Sequence, residues 1–90
     1  MTEKEINEIY DLYFKRVYLY VKRIIGDLGS ESDIEECVSD VFLAIWKDGS
    51  KYDSSRGKFD TFINVKTRSI GLNYRKKLMG QYEKYKIEQK

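Results

Sequence analysis

The sequence predicts an all-α fold, a compact bundle of three to four helices. Pro is absent from all 90 residues, so no position removes an amide donor from a helix interior. The six Gly fall mostly between periodic segments, where helices end. In three separate stretches the apolar side chains recur every three or four residues, the period of a helix with one buried face.

Thr2 and Glu5 have capping-box spacing, a hydroxyl acceptor followed three residues later by a carboxylate that reaches back to the cap amide. A first helix starts there. Ile6, Tyr10, Tyr13, Val17, Val21 and Ile24 form its inner face until "GDLGS" stops it at Gly26. Ser32 and Glu35 repeat the cap spacing, and Ile34, Cys37, Val38, Val41 and Ile45 then follow one helical face to an end near Lys47. The stretch "DGSKYDSSRG" is rich in turn residues and reads as a loop. The third helix begins near Lys58 or Phe59, with Phe59, Ile63, Ile70 and Tyr74 as a narrow apolar strip and Thr67 in its middle. Asn64, Arg68 and Arg75 flank that strip on one side and Lys66, Ser69 and Asn73 on the other. Residues 1–79 thus make the domain, and residues 80–90 read as a polar tail or the start of a linker.

A chain of this length has room for one core. Its 41% hydrophobic residues, 36% charged residues and thirteen aromatics are those of a globular protein and not of a disordered chain. No run approaches the roughly 20 apolar residues of a membrane span, and "MTEKEINEIY" is too acidic for a secretion signal, so a cytoplasmic location is expected. Cys37 is the single cysteine and His is absent, which excludes a disulfide framework and the usual zinc ligand sets. Cys37 reads as a small buried apolar side chain. No nucleophile stands beside an evident base, so neither an enzyme, a cofactor nor a small-molecule substrate is expected. Charge divides the chain: residues 1–48 sum to −5 and residues 49–90 to +7, as in proteins whose halves face different partners, the basic one a polyanion.

The acids of "EECVSDVFLAIW" raise a specific question. With the core residues facing inward, Glu36, Asp40, Leu43 and Lys47 collect on the opposite side of the second helix, and Ser39, Phe42 and Trp46 lie along one flank. Either Phe42 and Trp46 pack on the first helix beside a solvated charged face, or the whole surface docks a partner with clustered Arg or Lys. In the basic half, Tyr52, Phe59 and Phe62 are interleaved with Lys51, Arg56, Lys58, Lys66 and Arg68. Aromatic platforms among cations are what a protein needs to hold unpaired bases.

"IEECVSDVFLAIW", followed by "YDSSRGKFDTFINVKTRSIGLNYRKK", resembles the second region of bacterial RNA polymerase sigma factors, in its compact extracytoplasmic-function form. The opening "YDLYFKRVYLYVKRIIGD" is similar to that family's first helix, and the likeness covers about residues 6–78. The resemblance implies that the second helix docks on a coiled coil of the largest polymerase subunit. Glu36, Asp40 and Phe42 match the docking motif, Leu43 and Trp46 share the surface, and Ser39 stands where Gln is usual. Losing that hydrogen bond costs roughly 1 kcal/mol, about fivefold in affinity.

The resemblance also implies that the loop and third helix recognise and melt the promoter minus-ten element, holding its single-stranded non-template bases. Tyr52, Ser54, Ser55 and Arg56 then line a pocket for a flipped base, with Lys58 beside it. Phe62, Lys66, Ser69 and Asn73 face DNA, and Arg68, Arg75 and Lys76 meet phosphates. Phe62 replaces the usual Trp, Ser69 the usual Asn, and Lys66 an apolar residue, so base preference does not transfer from relatives. An anti-sigma protein is a further partner of this family. The alternative function is a sigma-like interaction module that regulates through polymerase or an anti-sigma protein without reading DNA. A duplex-binding repressor is disfavoured because no short helix-turn-helix pair is evident. The family's helix-turn-helix that binds the minus-thirty-five element does not fit in these residues, so the chain reads as a piece of a longer factor or as a natural single-domain relative.

Overall fold

A computed structural model describes residues 2–49 and 58–88, with side chains described to residue 84. Three α-helices build it: α1 (Glu3–Ile25), α2 (Glu31–Asp48) and α3 (Phe59–Glu88), with a 3-10 turn, Gly26–Leu28, between the first two. No strand occurs among the described residues.

The α1 start is the expected capping box, the Thr2 hydroxyl accepting from the Glu5 amide at 3.2 Å while the Glu5 carboxylate accepts from Thr2. Its end comes at Gly26, whose φ of 56° suits a residue without a Cβ. The last turn is closed from outside: Arg75 of α3 donates from Nη1 to the Ile24 carbonyl at 2.7 Å. A cation on an orphan carbonyl at a helix C-terminus satisfies the carbonyl and opposes the negative end of the helix dipole.

The α2 start differs from expectation. Ser30 and Asp33, not Ser32 and Glu35, form the capping box, with the Asp33 amide donating to Ser30 Oγ and the Ser30 amide to Asp33 Oδ2 at 2.8 Å. Both pairs have the right spacing, but the helix resumes directly after Gly29, so the earlier pair caps it. Gly29 sits at a close approach. A Cβ there would lie 2.8 Å from Ile25 Cγ2 and 3.0 Å from both Asp33 Cβ and Leu78 Cδ1. Gly29→Ala is expected to lower stability by about 1–3 kcal/mol, the usual cost of overpacking, read as a fall in the urea midpoint.

The core lies where the three helices meet. Val17, Val21 and Ile25 of α1 pack with Ile34, Cys37, Val38, Val41 and Ile45 of α2 and with Ile63 and Leu78 of α3. The α2 face is as the periodicity predicts, whereas Ile25, and not Ile24, is the buried residue at the end of α1. Thr67 is buried in the α3 strip, its hydroxyl donating to the Ile63 carbonyl at 2.7 Å. Gly71 is buried on the same side. The α3 helix continues through Gly80 to Glu88, so the segment after residue 79 begins as exposed helix.

Tyr13, Arg16 and Asp60 tie α3 to α1. The Tyr13 hydroxyl donates to Asp60 Oδ1 at 2.5 Å, and Arg16 Nη1 lies 3.5 Å from Asp60 Oδ2. Chiefly through the Tyr13 bond, with help from Arg16 and against a desolvation cost, the Asp60 carboxyl is held below its ordinary range. A depressed carboxyl pKa contributes stability above the unfolded-state pKa and loses it as pH falls through the folded-state pKa. The urea midpoint of the parent protein should therefore fall more between about pH 5 and about pH 3 than that of Tyr13→Phe.

Candidate functional site

Two faces carry the chemistry that the sequence singles out, one on α2 and one on α3. On α2, Glu36, Ser39 and Asp40 are exposed, and beside them Leu43 is 60% and Trp46 43% accessible. Phe42 departs from the expected surface. It is only 5% exposed, and its ring lies 4.8 Å from that of Tyr10 on α1. On the wheel it lies about 40° from Val38, between that core residue and Trp46, which turns it into the α1–α2 junction, so it supports the face from beneath.

The acids of α2 also act inward. Burial, then Asp40 and Glu36, push the Cys37 thiol up to about 11. Burial, then the Glu36 carboxylate of α2, push the Tyr74 phenol of α3 up to about 12. Glu36 thus faces solvent while its charge also acts on the Tyr74 phenol of α3.

An aromatic ladder borders the same face. Tyr10, Phe14 and Tyr18 follow one another along α1 with ring centroids 5.1 and 5.9 Å apart. With Glu35, Val38 and Ser39 they line a groove of about 280 Å³ between α1 and α2. Tyr18 closes one end by donating its hydroxyl to Glu31, which raises the phenol pKa. The helical period places Tyr10 on the inner face, yet its ring is exposed beside Phe14 and Tyr18, which the core stripe does not include. The signal was present, since the three recur every four residues as a second stripe beside the core stripe.

Lys58, just before α3, and Arg68, Ser69, Asn73 and Lys76 on it are exposed. Three expected DNA-facing groups are engaged within the chain. Lys66 is partly buried, with Nζ 2.5 Å from Asp48 Oδ2 and 5.8 Å from the Phe62 ring centre. Phe62 stacks on Phe59 at 5.6 Å, and Phe59 in turn meets Tyr13 edge-on at 6.0 Å. Arg75 caps α1, as described, so its guanidinium is directed at a carbonyl. Lys66 and Arg75 thus reach across to α2 and α1, while Phe62 packs within α3 against the core. Tyr52, Ser54, Ser55 and Arg56 lie outside the described residues.

Among the described residues, no group of His, Cys, Asp or Glu is placed to hold a metal ion, and no helix is long and apolar enough to cross a membrane.

Comparison with known proteins agrees with this geometry. Residues 9–80 match the family model for sigma-70 region 2. Over 50 residues the chain is 36% identical to proteins named ECF RNA polymerase sigma factor SigK from Mycobacterium tuberculosis (strain ATCC 25618 / H37Rv) and from Mycobacterium bovis (strain BCG / Pasteur 1173P2). Each match covers 56% of this chain and 25% of the relative, so the chain spans about a quarter of the length of these relatives. No solved structure matches. With the family match extending over all three helices, and curated relatives of the extracytoplasmic-function type, the chain belongs to the sigma-70 region 2 family.

Proposed function

We propose that this chain is the core-binding and promoter-engaging domain of a bacterial sigma factor acting in transcription initiation in the cytoplasm. Glu36, Ser39, Asp40, Leu43 and Trp46 dock on the coiled coil of the largest subunit of core RNA polymerase, with Phe42 holding that surface up from the α1 side. The observation that carries this is the α2 face itself: exposed carboxylates set beside an accessible Leu and Trp. Apolar contacts there exclude water around the ion pairs, which strengthens them and orients the partner.

The α3 face and the loop before it take up the non-template strand of the minus-ten element once it is unpaired. Unstacking a base costs a few kcal/mol, and aromatic stacking returns about 1–3 kcal/mol per base. Strand opening is then capture of transiently unpaired bases, with no bond made or broken by the protein. Lys58, Arg68 and Lys76 supply phosphate contacts, and Ser69 and Asn73 base contacts. Tyr52, Ser54, Ser55 and Arg56 complete the base pocket in this reading.

The test is a titration of labelled chain with bacterial core RNA polymerase, followed by permanganate footprinting of promoter opening. Saturable binding with footprints at unpaired thymines is the expected outcome, and absence of binding refutes the reading. The engagement of Lys66 and Arg75 within the chain favours one alternative, an interaction module that binds polymerase or an anti-sigma protein without reading DNA. Polymerase binding without any promoter opening would select it.

A further inference from the structure

The outward face of α3 is centred on residues that neither the sequence motif nor the docking face assigns. Val65 is 61% and Leu72 45% exposed. Seven residues apart, they lie within about 20° of each other around the helix and about 10 Å apart along it. Ser69 stands between them, Asn73 beside them, and Arg68 and Lys76 flank them, all four exposed. From Lys58 to Lys84 the chain carries seven Lys or Arg and only two acids.

Accessible aliphatic side chains at the middle of a cationic, hydrogen-bonding face call for a ligand that is anionic along its length and apolar at intervals. DNA meets that description through one substituent: the C5 methyl of thymine is the apolar group on its base edges. The axial separation of Val65 and Leu72 matches about three nucleotides where the strand stays stacked at about 3.4 Å each. We propose that Val65 and Leu72 contact thymine methyls, giving this protein a preference for thymine within the strand it holds. The inference rests on the reading of α3 as a DNA-binding face and adds to it the residues that set base preference.

The test compares fluorescently labelled single-stranded dT12 with dU12, which differ only in the methyl, by anisotropy at low ionic strength, with the chain alone and with the chain bound to core polymerase. Burying a methyl contributes about fourfold in affinity, so dT12 should bind about four- to fifteenfold tighter than dU12. Val65→Ala combined with Leu72→Ala should erase that ratio while leaving dU12 binding within about twofold, since exposed positions tolerate Ala in a helix. Circular dichroism checks that the variant is folded. Equal binding of dT12 and dU12 overturns the methyl contact but leaves α3 as a DNA face. Discrimination that survives in the double variant also overturns it, because the methyls are then read elsewhere. Loss of polymerase binding in the double variant, with DNA binding unchanged, makes the patch a protein contact and overturns it too. No binding of either oligonucleotide in either setting overturns both the inference and the DNA reading beneath it.

Discussion

Asp40→Arg should weaken binding of the chain to bacterial core RNA polymerase at least about tenfold, while Lys4→Glu, an exposed charge reversal at the start of α1, should leave it within about twofold. Asp40 is exposed in the middle of α2, one turn from the accessible Leu43. Reversing its sign leaves the core untouched and changes folding stability by about 0.5 kcal/mol or less, so a loss of affinity reports the interface. Against a basic partner the reversal replaces attraction with like-charge contact, which costs several kcal/mol. Raising the salt concentration should narrow the difference, because screening weakens charge pairs that solvent reaches. Equal affinities for all three proteins would remove the acidic face from the interface.

Ile45→Ala should lower the free energy of unfolding by about 2–5 kcal/mol, seen as a shift of the urea midpoint at unchanged slope. Ile45 is fully buried and belongs to the core shared by all three helices. A domain this small is stable by only about 5–15 kcal/mol, so the substitution removes a large share of the margin. Val65→Ala, the same kind of truncation on the exposed face of α3, should shift the midpoint by about 0.5 kcal/mol or less. If the two variants are equally stable, the core does not sit at the three-helix junction.

The parts of this architecture that were legible in the sequence are those set by local spacing. The α2 core residues follow directly from the helical period, and the Thr2–Glu5 cap and the Gly26 stop need only neighbours within one turn. Spacing points to Ser32 with Glu35, whereas Ser30 with Asp33, equally spaced two residues earlier, forms the cap because the helix resumes directly after Gly29. Lys66 and Arg75 read as free cations because their partners, Asp48 and the Ile24 carbonyl, lie 18 and 51 residues away. Phe42 carried two readings, surface or junction, and the Tyr10 ring resolves them in favour of the junction. The accessible pair Val65 and Leu72 is hidden for a different reason: helical periodicity marks the apolar residues that point inward.

Cys37 has a consequence of another kind. It is the single thiol of the chain, fully buried, and its pKa of about 11 leaves little thiolate at neutral pH while the helices are closed. A disulfide reagent therefore reacts chiefly with molecules whose core has opened, and the labelling rate at this one sulfur becomes a clock for that opening. Any partner clamped on the outer side of α2 slows the clock by favouring the closed state, although it never touches the sulfur.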